Sequence, residues 1–532
     1  MSGLTLLQNL KRIWILIINL FYTRKIPDNG KYKVVIIGAG YSGIAAAVNF
    51  QKRKFNNFEI IEKYPQPGGT WYEANYPGAA CDIAAHFYSL SFYLTHRWTR
   101  KWPIASEILD YIKEVVAHFN LNKKITYNTR VVEARWNENS KKWIIKLKSE
   151  TDPNKSPWEI SANFIITAPG VLNVPVTPEF KNSSKFNGVA CHSYNWPRKG
   201  SENEIDLNNK RVSIIGTGAS AVQILPTIAD QVKSVNVYQR SAAWAPPKFD
   251  YEYSTETKNR FKTFPILMRF YRWYLYWFTE QSYFLFIIRG TKIQKKTVKV
   301  LRYLHKKMIG KEPEKKELVE KLTPSYEPGC KRITPSDTYL KAFRKPNVEL
   351  ITDKIEEFTE NGIKTINSEN DQPADVIIYA TGFSMLKAMA WFELYGLDQS
   401  KNITEICGDA PQMMYGTFLP NFPNHFRILG ANSGLAHNSV VFMIECQVDY
   451  IMDAIRKTIV DEKKQIDLKK GSLDKHYKYI YGNMRNKSFG GQGGCQAWYR
   501  NENNVCWTLW PNSTINFWWH TLFCDLEDYD LS

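Results

Sequence analysis

Little in the 532-residue sequence could cross a membrane. Its most apolar stretch, Leu4 to Tyr22, is interrupted by Lys11 and Arg12. The unbroken part falls short of the ~20 residues a spanning helix needs. No small-residue cleavage site follows, which argues against a secretory signal. Cysteine is also sparse. The eight cysteines form no C-x-x-C, and their spacings suit neither a zinc site nor a disulfide framework. Eight reduced thiols in a reducing compartment, and no metal, are expected. Acidic residues are in deficit: 70 Lys and Arg face 52 Asp and Glu, a net charge of +18. Yet no Lys/Arg block is long enough for a basic arm and no nucleic-acid motif occurs, so nucleic acid is excluded as a partner. An anionic membrane or polyanionic cofactors remain. No period of 20–50 residues signals a solenoid.

What is present starts with length. A chain of this size exceeds one hydrophobic core, so two or three domains are expected. Lys33 to Ile37 reads as a strand that runs into Gly38, Gly40 and Gly43, followed by a helix and a second strand, Phe58 to Glu62. The pattern returns at Arg211 to Ile215, with Gly216, Gly218 and Ala221 in the turn and a further strand at Ser234 to Gln239. In such a unit the first glycine makes the tight turn, the second lets the backbone approach a pyrophosphate, and the third lets helix and strand pack closely. The fold class is therefore α/β, with two Rossmann-like dinucleotide-binding domains and a helical insertion in the second.

The residue ending each second strand separates the two sites. Glu62 lies nineteen positions past Gly43, and its carboxylate suits a free ribose diol, as in FAD or NAD. Arg240 lies nineteen positions past Ala221, and its guanidinium suits the 2′-phosphate of NADPH. The domain limits expected are 31–169 with 383–532 for FAD, 170–255 with 331–382 for NADPH, and 256–330 for the helical insertion. Residues 1–30 read equally as a helix lying in the membrane interface or as one packed on the protein's own surface. Aromatic residues crowd Phe264 to Phe286. They read as a helical insertion packed on the second domain, or as a membrane-facing or substrate-gating surface. The location expected is cytoplasmic, with membrane association through the N-terminal segment. The oligomeric state is left open.

Two longer motifs add a resemblance. Gly68 to Asp82 (GGTWYEANYPGAACD) resembles the long fingerprint of the Baeyer–Villiger monooxygenases. Phe186, Gly188, His192, Trp196 and Pro197 resemble their shorter F-x-G-x-x-x-H-x-x-x-W-P. Arg198 departs from the acidic residue many members carry next. The resemblance implies Trp71, Asp82, Tyr88 and Val131 at FAD, and Ala80 and Cys81 near the nicotinamide cofactor. It implies Gly216, Thr217, Gly218, Ala219, Ser220, Ala221, Val222, Gln223, Gln239, Arg240 and Lys331 at NADPH, and Trp498 folded over NADP and substrate. Arg332 would be the catalytic arginine, oriented by Asp82. His192 and Trp196 are expected to be structural, and His437 to lie near the flavin edge. The activity implied is insertion of one oxygen atom of O2 into a small lipophilic ketone, giving an ester or lactone through a C4a-peroxyflavin. Arg332 would hold that peroxide anionic. Oxidation of nitrogen or sulfur in a heteroatom substrate on the same scaffold is the alternative. A membrane-associated flavoprotein that has lost catalysis is a third reading. A disulfide reductase is disfavoured, because no paired redox cysteines are apparent.

Overall fold

The computed structural model describes residues 5, 8–13, 16, 24–310, 312–389, 391–492 and 494–532. The N-terminal segment expected to touch a membrane lies largely outside them. Of its described part, residues 8–13 are helical. Arg12 is buried there, its Nε donating to the Trp519 carbonyl at 2.9 Å and its guanidinium sitting over the Phe523 ring. No helix among the described residues is long and apolar enough to cross a membrane.

Val34–Ile37 is buried on both faces, as a central parallel strand should be, and therefore reads as a continuous β-branched run. It anchors a parallel sheet in the order His425–Arg427, Phe164–Thr167, Val34–Ile37, Phe58–Ile61, Ile125–Thr126. The helices Tyr41–Lys52 and Val440–Val460 pack together over this sheet. On its other face lies an antiparallel sheet from Thr129–Asn137, Lys142–Ser149 and Trp158–Ala162. The second parallel sheet has the order Val348–Ile351, Ser234–Tyr238, Arg211–Ile215, Val376–Tyr379, Val189–His192. The first sheet is discontinuous in sequence, because its last strand, His425–Arg427, arrives only after the chain has built the whole of the second.

The insertion departs from the expected packing. Only its second half, Lys292–Ile309 and Lys316–Leu322, places Met308, Ile309 and Leu322 in the core of the second domain. Its first half, the helix Pro265–Glu280 and the turn Tyr283–Ile287, places Leu275, Tyr283 and Ile287 in the core of the first. The insertion thus straddles both domains.

Cysteine usage is corrected too. Cys330 and Cys495, 165 positions apart, are joined in a disulfide. The other six are free thiols. No local spacing announces a bond that only the fold brings together, so the cysteines no longer argue for a reducing compartment. No cluster of His, Cys, Asp and Glu suited to a metal occurs among the described residues.

Candidate active site

The two glycine turns open on one shared cavity of about 1430 Å³. That exceeds the ~300–1,000 Å³ of a typical single-ligand site. At each turn the chain makes the same move. Gly38 has φ +106°, and a Cβ there would fall 2.6 Å from the Ala168 carbonyl oxygen. Gly216 has φ +111°, and its Cβ would fall 2.5 Å from that of Ala380. Both positions are left-handed and crowded by the neighbouring strand, so both require glycine. The helices that follow, Tyr41–Lys52 and Ala219–Ile228, begin at Gly40 and Gly218 with nearly identical backbone angles and no side-chain cap. Their free N–H groups and positive dipole ends are left for an anion in the cavity. A Cβ on Gly218 would meet nothing within 4 Å, so the space for such a group is present.

Glu62 is buried at the first turn, where its carboxylate accepts from the Ala39 and Tyr64 N–H groups at 2.6 and 3.0 Å. Burial pushes its acid strength down, partly offset by those two donors. At the second turn, exposed Arg240 and Lys331 both line the cavity. Burial first, and then the charge of Arg240, lower the Lys331 ammonium from its ordinary value. Two cations sharing a wall, with no carboxylate partner among the described residues, make a receptor for an anion. The orphaned buried polar atoms point the same way: Tyr41 Oη at the first turn and Gln239 Oε1 at the second have no hydrogen-bond partner among the described residues, and both residues line the cavity.

Between the turns sits an ion pair. Arg332 donates from Nε and Nη2 to the two carboxylate oxygens of Asp82, at 2.6 and 2.5 Å. Such a bidentate fork fixes the guanidinium plane. The Asp82 charge lifts Arg332 further above its basic range, against the cost of desolvation. Arg332 lines the cavity, with 43% of its side chain accessible. Trp71 donates from Nε1 to the Tyr88 hydroxyl at 3.2 Å, and both line the same wall. Trp498 packs edge-on against Tyr499 at the rim, and the disulfide ties this loop to the chain just before Arg332.

The long motif also acts as a docking surface. Gln223 accepts from the Tyr76 hydroxyl at 2.8 Å and from the Ala80 N–H at 3.4 Å, and donates to the Ala80 carbonyl at 2.9 Å. Gly78, at φ +79°, sits so close to the helix of Gln223 that a Cβ would fall 2.5 Å from its carbonyl oxygen. Arg198 donates to Asn75 and to the Tyr72 carbonyl and lies 3.8 Å over the Tyr72 ring. Neither Tyr76 nor Arg198 stood out in the sequence as a contact between domains.

Some expected residues lie elsewhere. Gly43, Val131, Ala221 and Val222 do not line the cavity. Gly43, Ala221 and Val222 pack the turns, and Val131 is buried in its strand. His437 is turned from the cavity and packed on Tyr283, with Nε2 3.6 Å from Glu280. His192 takes the Tyr194 N–H on Nδ1, a structural bond, and burial lowers its basicity.

Two dinucleotide turns facing one cavity, with a fixed cation between them, define the class: a flavoprotein oxidoreductase of the two-domain type. Residues 35–272 match the pyridine nucleotide–disulphide oxidoreductase family. The Baeyer–Villiger monooxygenase of Pseudomonas aeruginosa is 33% identical over 502 residues, covering 94% of this chain and 91% of that protein. The FAD-binding monooxygenase ktnD of Aspergillus niger is 30% identical, covering 93% and 81%. The fold is that of cyclohexanone monooxygenase from Rhodococcus sp. Phi1 bound to NADP+, at TM-score 0.80 and 22% identity, covering 96% of this chain and all of that one. The chain belongs to the Baeyer–Villiger monooxygenase family, and it is an enzyme, a monooxygenase.

Proposed function

We propose that the enzyme holds FAD at the Gly38–Gly43 turn and NADPH at the Gly216–Ala221 turn, and inserts one oxygen atom of O2 into a lipophilic ketone. The observation that carries this reading is the Asp82–Arg332 pair, set between the two turns and open to their shared cavity. When bound, FAD reduced by NADPH supplies the electrons that activate O2.

The residues divide the remaining work. The uncapped helix starts behind Gly40 and Gly218 hold pyrophosphates. Glu62 accepts from the ribose diol on the flavin side. Arg240 and Lys331 pair with the 2′-phosphate on the nicotinamide side. Tyr76, Gly78 and Gln223 keep the two sites in register. Arg332 faces the reacting centre with a charge that Asp82 prevents from swinging away. It favours the anionic form of the oxidant and the negative charge that grows on the carbonyl oxygen under attack. A preorganised donor of this kind is worth about 10²–10³ in rate.

Arg332→Ala should therefore still bleach its flavin with NADPH but lose ester formation by at least about 10²-fold. Stopped-flow absorbance and product mass analysis over a ketone panel read the two steps separately. Ester yield equal to the parent's would remove Arg332 from the reaction. Sulfoxide or N-oxide as the sole product of the parent enzyme would move the reading to heteroatom oxidation.

A further inference from the structure

The helix Pro265–Glu280 keeps most of its aromatic side chains on the outside. Its polar stripe, at spacing i, i+4, i+8, faces the protein. Arg272 donates to the carbonyls of His86, Phe87 and Ser89 at 3.1, 2.8 and 2.8 Å and to Glu445 at 3.4 Å. Tyr276 bonds the Thr514 hydroxyl, and Glu280 takes the Thr514 N–H and hydroxyl and the Asn438 amide. The opposite stripe carries Phe270, Trp273, Tyr274, Trp277 and Phe278, all 45–65% exposed, and Phe284 continues it at 53%. A helix that covers a protein core faces water with its polar side and the core with its apolar side. This one buries Met268 and Leu275 beside its polar stripe and still turns a second, broad apolar face outward, so water is the wrong medium for that face.

Charge chooses what covers that face. From Lys258 to Gly310 the sequence carries thirteen Lys and Arg against one acid, Glu280, which is buried. Twelve of the chain's eighteen net positive charges therefore sit in 53 residues, mostly flanking the aromatic stripe and along Lys292–Ile309. A second copy of this surface would be repelled by the first. Aromatic side chains at the level of lipid headgroups, bordered by Lys and Arg, are what an anionic bilayer surface accepts. The inner face of the same helix grips Asn438, which lines the cavity, so a seated protein would have its cavity wall one side-chain layer from the lipid.

We propose that the outer face of Pro265–Glu280, with the adjoining basic helix Lys292–Ile309, docks the enzyme on an anionic membrane surface. The reading is independent of the reaction catalysed.

The test uses the full-length holoenzyme. Flotation with phosphatidylcholine vesicles is compared with flotation on equimolar phosphatidylcholine and phosphatidylserine, for the parent and for the triple variant Phe270→Ser, Trp273→Ser, Phe278→Ser. The parent should float with the anionic vesicles, and the variant should lose at least tenfold in bound fraction while keeping its melting temperature and its NADPH oxidation with a water-soluble ketone. Equal flotation of parent and variant overturns the proposal, including the case in which the N-terminal segment carries the binding. Equal binding of the parent to uncharged vesicles overturns the anionic assignment. A parent that floats with neither vesicle, but sediments as a dimer that the variant lacks, assigns the face to a second protein instead.

Discussion

At the scale of single residues, the proposed cofactor choice rests on the charges that follow the second strand of each unit. By spacing from its turn Arg240 matches Glu62, but by strand register Glu62 follows Ile61 as Gln239 follows Tyr238, so Arg240 lies one position further along, exposed to the cavity, while Glu62 is buried beside its turn. Hydrogen bonds to charged groups contribute about 1.5–3 kcal/mol each. Arg240→Ala should then raise KM for NADPH by roughly 10- to 100-fold and leave KM for NADH almost unchanged. Steady-state kinetics with both nucleotides check this, and an equal rise for the two would place Arg240 away from the 2′-phosphate. The contrast was readable in the sequence because spacing from a glycine turn is local. The environment of His437 was not, since its neighbours Glu280 and Tyr283 belong to a helix and turn more than 150 positions earlier.

At the scale of elements, the long motif bonds the helix that carries Gln223 and so ties the two domains together. At Gly78 a methyl group would fall 2.3 Å from the Thr227 hydroxyl on a backbone that already has φ +79°. Gly78→Ala should cost on the order of 1–3 kcal/mol of stability. It should also slow flavin reduction by NADPH more than it weakens FAD retention, because the loop must back off the helix that carries Gln223. Thermal melting and rapid-mixing reduction measure the two effects, and unchanged reduction would limit Gly78 to folding. The β-α-β units were legible almost to the residue, Arg211–Ile215 among them, because buried parallel strands write themselves as unbroken β-branched runs. The Gln223 bridge and the Cys330–Cys495 bond were not, because each joins positions more than 140 apart with no periodic trace.

At the scale of the whole molecule, acid should be the enemy of the fold. Burial pushes His86, His425, His476 and His520 down to about 3, and His305 to about 4. An unfolded chain protonates the same rings near pH 6.5. Their folded values are depressed, so the unfolded state binds more protons in between. The stability they allow is full above pH 6.5 and falls as pH drops toward 4. Asp467 acts in the opposite sense, since burial lifts it from 3.8 to about 7 and its cost grows as pH rises through that window. Burial raises Glu62, Glu445 and Asp528 in the same sense as Asp467, but the five rings together carry the larger shifts and set the sign: Tm should fall steadily from about pH 7 to about pH 5. A flat or rising Tm on acidification, followed by scanning calorimetry, would contradict the buried neutral state of these histidines.

The insertion that straddles the two domains has a mechanical consequence. Its first half is sewn into one core and its second into the other, with Gly290 at φ +77° and open space around it between them. Arg289, next to that glycine, is clamped to Glu327 at 2.7 Å. A swing of one domain against the other would load this short joint as well as the chain crossings between the two sheets. An insertion packed into both cores in this way would resist any separation of the walls of the shared cavity.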